Sequence, residues 1–296
     1  MEKVSVVIIT YNRPLDVLFR AINSALNQDY NSIEVLVVND APENYELAHS
    51  IQERIDKIDD DRITYLSYDR NHGSNYARNY GLKHSTGAYI GFLDDDDEWY
   101  SYKISEQVAV IETDSSIGLV SCGFDIIRDG KVVGHKSTYS SYDHSIDNLL
   151  RFNYIGGSSF PLLRRETVEQ VGGFDESMKA CQEYELWIRL RKEAGFRTIE
   201  KPLGAYYVSG DSTYKGNPEK YYLGDKRILE KHEKLFNKYT NAYNDHLNGM
   251  ALQWLLRKRI HWYLEYKTKA VRVKPFSSSN FTVLKKLIDR AKREKQ

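Results

Sequence analysis

Four short apolar runs, rich in β-branched residues and separated by stretches of helical spacing, occupy the first hundred positions. They lie at residues 4–9 (VSVVII), 33–38 (IEVLVV), 62–66 (RITYL) and 88–93 (AYIGFL). Compact runs of this kind suit strands buried on both faces, as in a parallel sheet. Between the first two, Pro14 stands where a helix would begin, and Leu15, Leu18, Ile22 and Leu26 recur at helical spacing. Further helices are predicted over about 43–58 and 74–84. Such alternation predicts an α/β sheet, mostly parallel, with helices on both faces.

Beyond residue 100 the alternation loosens. A helix is predicted over 101–113, with Ile104, Val108 and Ile111 on one stripe. Strands over 117–127 and 131–136 meet at the hairpin signal Asp129-Gly130. A helix over 184–193 and a strand over 197–207 follow. After Gly216 nearly everything reads as helix, broken at Pro275 and at serines 277–279. The expected division is a main domain over 1–215, with halves at about 1–100 and 101–215, and a helical region over 216–296.

Composition narrows the class. At 296 residues, 41% hydrophobic and 28% charged, the chain can bury a sizeable core and is not a disordered one. With only Cys122 and Cys181, a disulfide scaffold is excluded and a reducing compartment is expected. No apolar run approaches the roughly 18 residues of a membrane span, so the expectation is a cytoplasmic protein. The 42 basic and 42 acidic residues cancel overall, but not locally. Residues 251–296 carry thirteen Lys or Arg against three acids, leaving an acidic body and a basic end.

Ligands of open α/β sheets sit beyond the carboxyl ends of the strands. Polar residues follow three predicted strands directly: Thr10-Tyr11-Asn12-Arg13, Asn39-Asp40 and Asp94-Asp95-Asp96-Asp97. Any one of these could be a plain turn; three on one edge point to a site. Four adjacent aspartates repel unless a cation offsets them, and their hard oxygens suit Mg²⁺ or Mn²⁺. The run Asp59-Asp60-Asp61 serves as a control, because it precedes a strand and reads as a solvated turn. Neither a G-x-G-x-x-G after the first strand nor a phosphate-binding G-x-x-x-x-G-K-[ST] is present. His232-Glu233 lacks a second histidine for a zinc helix, and G-x-S-x-G is missing.

Six segments together resemble the inverting family 2 glycosyltransferases: SVVIITYNRP (5–14), VVND (37–40), NHGSNYARNYG (71–81), FLDDDDEW (92–99), VGGFDE (171–176) and QEYELWIRL (182–190). The resemblance spans roughly residues 4–212 in family order. It implies a GT-A fold, a nucleotide-diphosphate sugar donor (a UDP-sugar above all), a saccharide acceptor, and Mn²⁺ or Mg²⁺. Thr10, Tyr11, Asn12 and Arg13 would border the nucleobase and ribose, and Asp40 would accept a hydrogen bond from the base. Gly73 would let the backbone approach the nucleotide, and Arg78 matches the family's donor-pocket arginine. Asp94 and Asp95 would face ribose and phosphate, and Asp96 would bind the metal; Asp97, an aspartate ahead of a predicted helix, reads instead as the cap of that helix.

The same resemblance assigns the acceptor side. Gly157 and Ser158 fall in the segment that lines the acceptor site. Where the family has Glu-Asp before an aromatic residue, this chain has Gln182-Glu183. Glu183 therefore inherits the catalytic base, with Gln182 beside the acceptor. Glu185 lies about 200° further round the helix and should point away, while Trp187 and Leu190 read as core. No His or Arg follows in 208–215 to neutralise a leaving diphosphate, which leaves Lys215 as the candidate. The alternatives are a sugar nucleotidyltransferase, an inactive nucleotide-sugar-binding relative, and a nucleic-acid binder; the last lacks any recognised module.

The basic end suggests a surface. Phe281, Leu284, Leu287, Ile288 and Ala291 fall on one helical face among Lys285, Lys286, Arg290, Lys292 and Arg293. Such a helix suits an anionic membrane, where an enzyme extending a lipid-linked saccharide would work. The more apolar helix around Trp254 is expected to pack internally instead.

Overall fold

A computed structural model describes residues 1–136, 143–208 and 217–281. The chain forms two compact units. One comprises residues within Met1–Tyr142 and Ile155–Asp225, the other residues within Asp143–Tyr154 and Lys226–Gln296.

The first unit opens with β1 (Val4–Thr10), α1 (Leu15–Leu26), β2 (Ile33–Asn39), α2 (Tyr45–Asp56), β3 (Ile63–Ser67), α3 (Ser74–His84) and β4 (Tyr89–Asp94). β1 pairs in parallel with β2 on one side and β4 on the other, and β3 joins outside β2. Both faces of β1 and β2 are covered: Val4, Val6, Val7, Ile8, Val35 and Val37 are fully buried. That explains their unbroken apolar character. In register, Thr10 is level with Asn39 and Ile9 with Asp94. The three polar strand ends therefore finish at one edge, where the strand order reverses about β1 and a crevice opens.

Next come β5 (Glu98–Trp99), α4 (Lys103–Ile111), β6 (Ile117–Arg128) and β7 (Lys131–Lys136). The rest of this unit's regular structure is β8 (Leu162–Arg164), α6 (Arg165–Gln170), α7 (Gln182–Glu193), β9 (Gly195–Tyr207) and the start of α8 (Pro218–Lys231), with α5 (Ile146–Arg151) belonging to the second unit. The nine-stranded sheet runs β3-β2-β1-β4-β8-β6-β9-β5, with β7 on β6. It is parallel through its first four strands and mixed beyond. β8 runs antiparallel to both β4 and β6, and β6 and β9 are parallel. At the β6–β7 hairpin both Asp129 and Gly130 have positive φ, the geometry that pairing of this tightness needs.

The second unit contains α5, the end of α8, α9 (Glu233–Lys238), α10 (Thr240–Leu256) and α11 (Ile260–Val273). Trp254 is fully buried and meets Trp262 edge-on at 4.8 Å, so the helix around it packs internally as expected. Lys267 donates to Asn248 at 2.7 Å, and Asn248 donates to Asn280 at 2.9 Å, which ties α11 and residue 280 to α10. Lys215 and most of the basic amphipathic stretch, residues 282–296, lie outside the described residues. Among the described residues no helix is long and apolar enough to cross a membrane.

Candidate active site

At the shared edge of β1, β2 and β4 lies a cavity of about 330 Å³. Eight of the sequence-predicted residues line it: Thr10, Tyr11, Arg13, Asp40, Arg78, Asp94, Asp95 and Asp96. Ile9 and Ser74 complete the wall. Asn12, Gly73, Gly157, Ser158, Gln182 and Glu183 are not part of its lining. A larger cleft of about 750 Å³, walled by α1 and residues 98–102, holds none of the predicted residues.

The aspartates are held by three arginines, from the loop after β1, from α3 and from α1. Arg13 donates to Asp95 at 2.8 Å and stands 3.0 Å from Asp96. Arg78 donates to Asp94 at 2.8 Å. From the other side, Arg20 of α1 donates to the Asp96 carbonyl at 2.6 Å while its guanidinium lies over the Tyr207 ring at 3.6 Å. Burial still outweighs these cations. It pushes the Asp95 carboxyl up to about 6 and raises Asp96 as well. Burial, with Asp94 beside it, also raises the Asp97 carboxyl well above the usual range.

Asp97 does not cap a helix. Its N–H donates to the Asp94 carbonyl at 3.1 Å, and the chain passes straight into β5, which pairs antiparallel with β9. The next helix, α4, starts only at Lys103. A two-residue strand is too short to announce itself by periodicity, so a helix cap was the reading that turn propensity favoured.

Asp40 has a structural duty. Its Oδ1 accepts from the Tyr68 hydroxyl at 2.6 Å, the His72 N–H at 3.0 Å and the Gly73 N–H at 3.2 Å. Asn71 donates to its carbonyl at 2.7 Å. Gly73 has φ of 92° and open space where a Cβ would stand, so glycine is required there by backbone conformation rather than by crowding. The 71–73 loop thus delivers the start of α3, with Ser74 and Arg78, to the cavity. Asn12, at φ of 51°, accepts from Asn44 at 2.7 Å and faces that turn rather than the cavity.

Glu183 reaches the site from far along the chain. Asn79 of α3 exchanges two hydrogen bonds with the Phe174 backbone, at 2.9 and 2.8 Å, and Asn75 donates to the carbonyls of Asp175 and Met178. These contacts pin residues 174–178 onto α3, just before α7 begins. Glu183 lies in the first turn of α7, 3.9 Å from the Arg78 guanidinium. Burial raises its carboxyl above the usual range; Arg78 and a hydrogen bond from Gln182 pull it back. Glu185 points elsewhere, as expected: it is fully buried and paired with Arg189 at 2.7 Å. Trp187 and Leu190 are core, and Trp187 donates to the Gly156 carbonyl at 3.0 Å.

Ser158 is buried, while Gly157 has open space around its Cα. Ser159 receives the Asp94 N–H at 3.2 Å, and its carbonyl accepts from Trp99 at 2.5 Å. Sequence reading missed Arg20, Asn75, Asn79 and Ser159 as supports. Only Ser74, a small polar residue at a predicted helix start beside glycine, carried a legible signal.

Among the described residues no three His, Cys, Asp or Glu side chains converge as a ready metal cage. Asp94 and Asp96 do keep 37% and 40% of their side chains exposed at the cavity. Two accessible carboxylates, in a cluster where burial raises Asp95 and Asp96, fit a divalent cation that takes its remaining ligands from a diphosphate.

The Glycosyl transferase family 2 pattern matches residues 5–172. The chain is 38% identical over 230 residues to the E. coli UDP-Glc:alpha-D-GlcNAc-diphosphoundecaprenol beta-1,3-glucosyltransferase WfaP, covering 78% of this chain and 86% of that protein. It is 28% identical over 270 residues to the putative colanic acid biosynthesis glycosyl transferase WcaA of E. coli K12, covering 88% and 90%. Several Rickettsia relatives are longer; the chain spans 31% to 58% of their length. In fold it is similar to S. aureus TarS 1–349 in complex with UDP-GlcNAc, with a TM-score of 0.66 at 18% identity over 92% of this chain and 81% of that one. This likeness identifies the curled mixed sheet as the GT-A type. By the family match and the identity to WfaP, the chain belongs to glycosyltransferase family 2.

Proposed function

We propose that the chain moves a sugar from a UDP-sugar to a hydroxyl of a lipid-linked saccharide, inverting the anomeric configuration. The observation that carries this reading is the meeting of Arg78 with both Asp94 and Glu183. It sets a candidate base beside the carboxylates that would face the donor. WfaP, whose name specifies UDP-Glc and a diphosphoundecaprenol-linked acceptor, supports the substrate classes.

In this mechanism Thr10 and Tyr11 border the nucleoside, and Arg13 and Arg78 hold Asp94–Asp96 in place. Asp96, with Asp94, would hold Mn²⁺ or Mg²⁺. Such a cation, when bound, offsets charge developing on the leaving diphosphate. Glu183 takes the proton from the acceptor hydroxyl. The hydroxyl oxygen bonds to the anomeric carbon as the bond to the diphosphate breaks. One displacement gives a β-linked product from an α-linked donor. Arg13 stands 3.0 Å from Asp96, so that carboxylate would be shared between the guanidinium and a cation held there.

The test is to incubate the protein with UDP-Glc, UDP-GlcNAc or UDP-Gal, Mn²⁺ and a GlcNAc-diphosphoryl lipid. UDP release and the anomeric proton coupling of the product are then read. A β-glycoside from one donor is expected. An α-linked product would end the inverting assignment, and no transfer from any UDP-sugar would end the donor assignment.

A further inference from the structure

α11 is apolar on two sides. Tyr266 and Ala270 are buried against its own unit. On another face Ile260, Leu264 and Val271 are 52%, 54% and 42% exposed. At 100° per residue these three fall within about 40° of one another, well away from the buried pair. Exposed apolar residues mark both ends of the helix: Leu256 closes α10 before it, and Phe276, 99% exposed, follows it.

Charge identifies what such a face would meet. Residues 256–276 hold seven Lys or Arg and one acid, Glu265, which pairs with Lys226 at 3.4 Å. Lys258, Arg259, Lys269, Arg272 and Lys274 are exposed. Two copies meeting through this face would bring like charges together, which opposes a symmetric dimer. A nucleic acid would match the charge and leave the apolar stripe unused. An anionic lipid surface supplies negative headgroups and an apolar layer below them.

We propose that α11 and its flanks dock on an anionic bilayer, with Ile260, Leu264 and Val271 entering the headgroup–acyl boundary and the surrounding Lys and Arg at the headgroups. The surface lies wholly within the second unit and involves no residue of the candidate active site. It agrees with the proposed lipid-linked acceptor but does not depend on it.

The experiment is flotation of the full chain with phosphatidylcholine vesicles and with vesicles containing phosphatidylglycerol. Wild type should float with the anionic vesicles in 0.1 M salt, leave them in 0.5 M salt, and ignore the neutral ones. Two variants separate the contributions: I260S/L264S/V271S and K258Q/R259Q/R272Q. Each should lower the bound fraction at least tenfold while keeping the wild-type circular dichroism and UDP affinity. Absence of wild-type binding to anionic vesicles would overturn the proposal. So would undiminished binding of the serine variant, which would indicate charge adsorption alone. A concentration-dependent dimer abolished by the serine variant would assign the face to a second copy instead. Failure to bind UDP in any of these proteins would count against the functional reading and leave the flotation result standing.

Discussion

Asp94 and Glu183, from elements far apart in sequence, share one guanidinium: Arg78 stands 2.8 Å from Asp94 and 3.9 Å from Glu183. Arg78 is itself almost fully buried. It is therefore the shared counter-charge of the donor-side carboxylate and of the candidate base.

The base is tested by Glu183→Gln. Turnover should fall about 10²–10⁴-fold with UDP affinity close to wild type, because in the proposed mechanism the carboxylate acts on the acceptor. Glu185→Gln should instead spare turnover and lower stability by about 1–3 kcal/mol through its bond to Arg189. Kinetics and thermal melts on both variants check this; equal losses of turnover would refute the assignment.

A pH profile tests the shared guanidinium. As the proposed base, Glu183 would act as the carboxylate, so activity should be lost as pH falls through the pKa that burial raises. Arg78 favours the ionised form. Arg78→Met should therefore move the acid limb to higher pH and lower kcat/KM by about 10²–10³-fold. An unmoved limb would mean that Glu183 does not control it.

Metal dependence should follow Asp96. Asp96→Ala should abolish Mn²⁺ binding measured by electron paramagnetic resonance, and chelation of wild type should remove activity. Asp60→Ala should change neither, since Asp60 pairs with Arg62 in a turn before β3. Full activity in excess chelator would refute the metal's role.

Stability should carry the mark of Lys103. Fully buried, it donates to Gln107 at 2.5 Å, and burial lowers its ammonium to about 8. From there up to the ordinary lysine value the unfolded chain binds more protons, so this group makes stability rise with pH. Denaturant melts between pH 8 and 10 should show a steeper rise for wild type than for Lys103→Met; identical slopes would contradict the burial argument.

How much of this was legible depended on the range of the interactions. β1, β2 and β4 announced themselves because both faces of each are covered, and their polar ends followed at once. β5 and β8, with two and three residues, owe their existence to partners in β9, β4 and β6, which no local pattern reports. Asp97 was misread for that reason. The aspartate run was conspicuous, and Arg13 and Arg78 stood out through the family resemblance, whereas Arg20 is an ordinary residue of α1 until the fold brings it to the Asp96 carbonyl. Asn75 and Asn79 look like generic polar positions on α3, yet they pin the segment that carries Glu183.

The three donors crowded onto one oxygen of Asp40 bear on any effort to redesign the proposed nucleotide pocket. Replacing Asp40 would release Tyr68 and the 71–73 loop together, and the start of α3 would shift with them. A loss of binding would then say little about which base the pocket prefers. Tyr11, 55% exposed on the same wall, is the better starting point for altering selectivity, because its side chain can be exchanged without disturbing that loop.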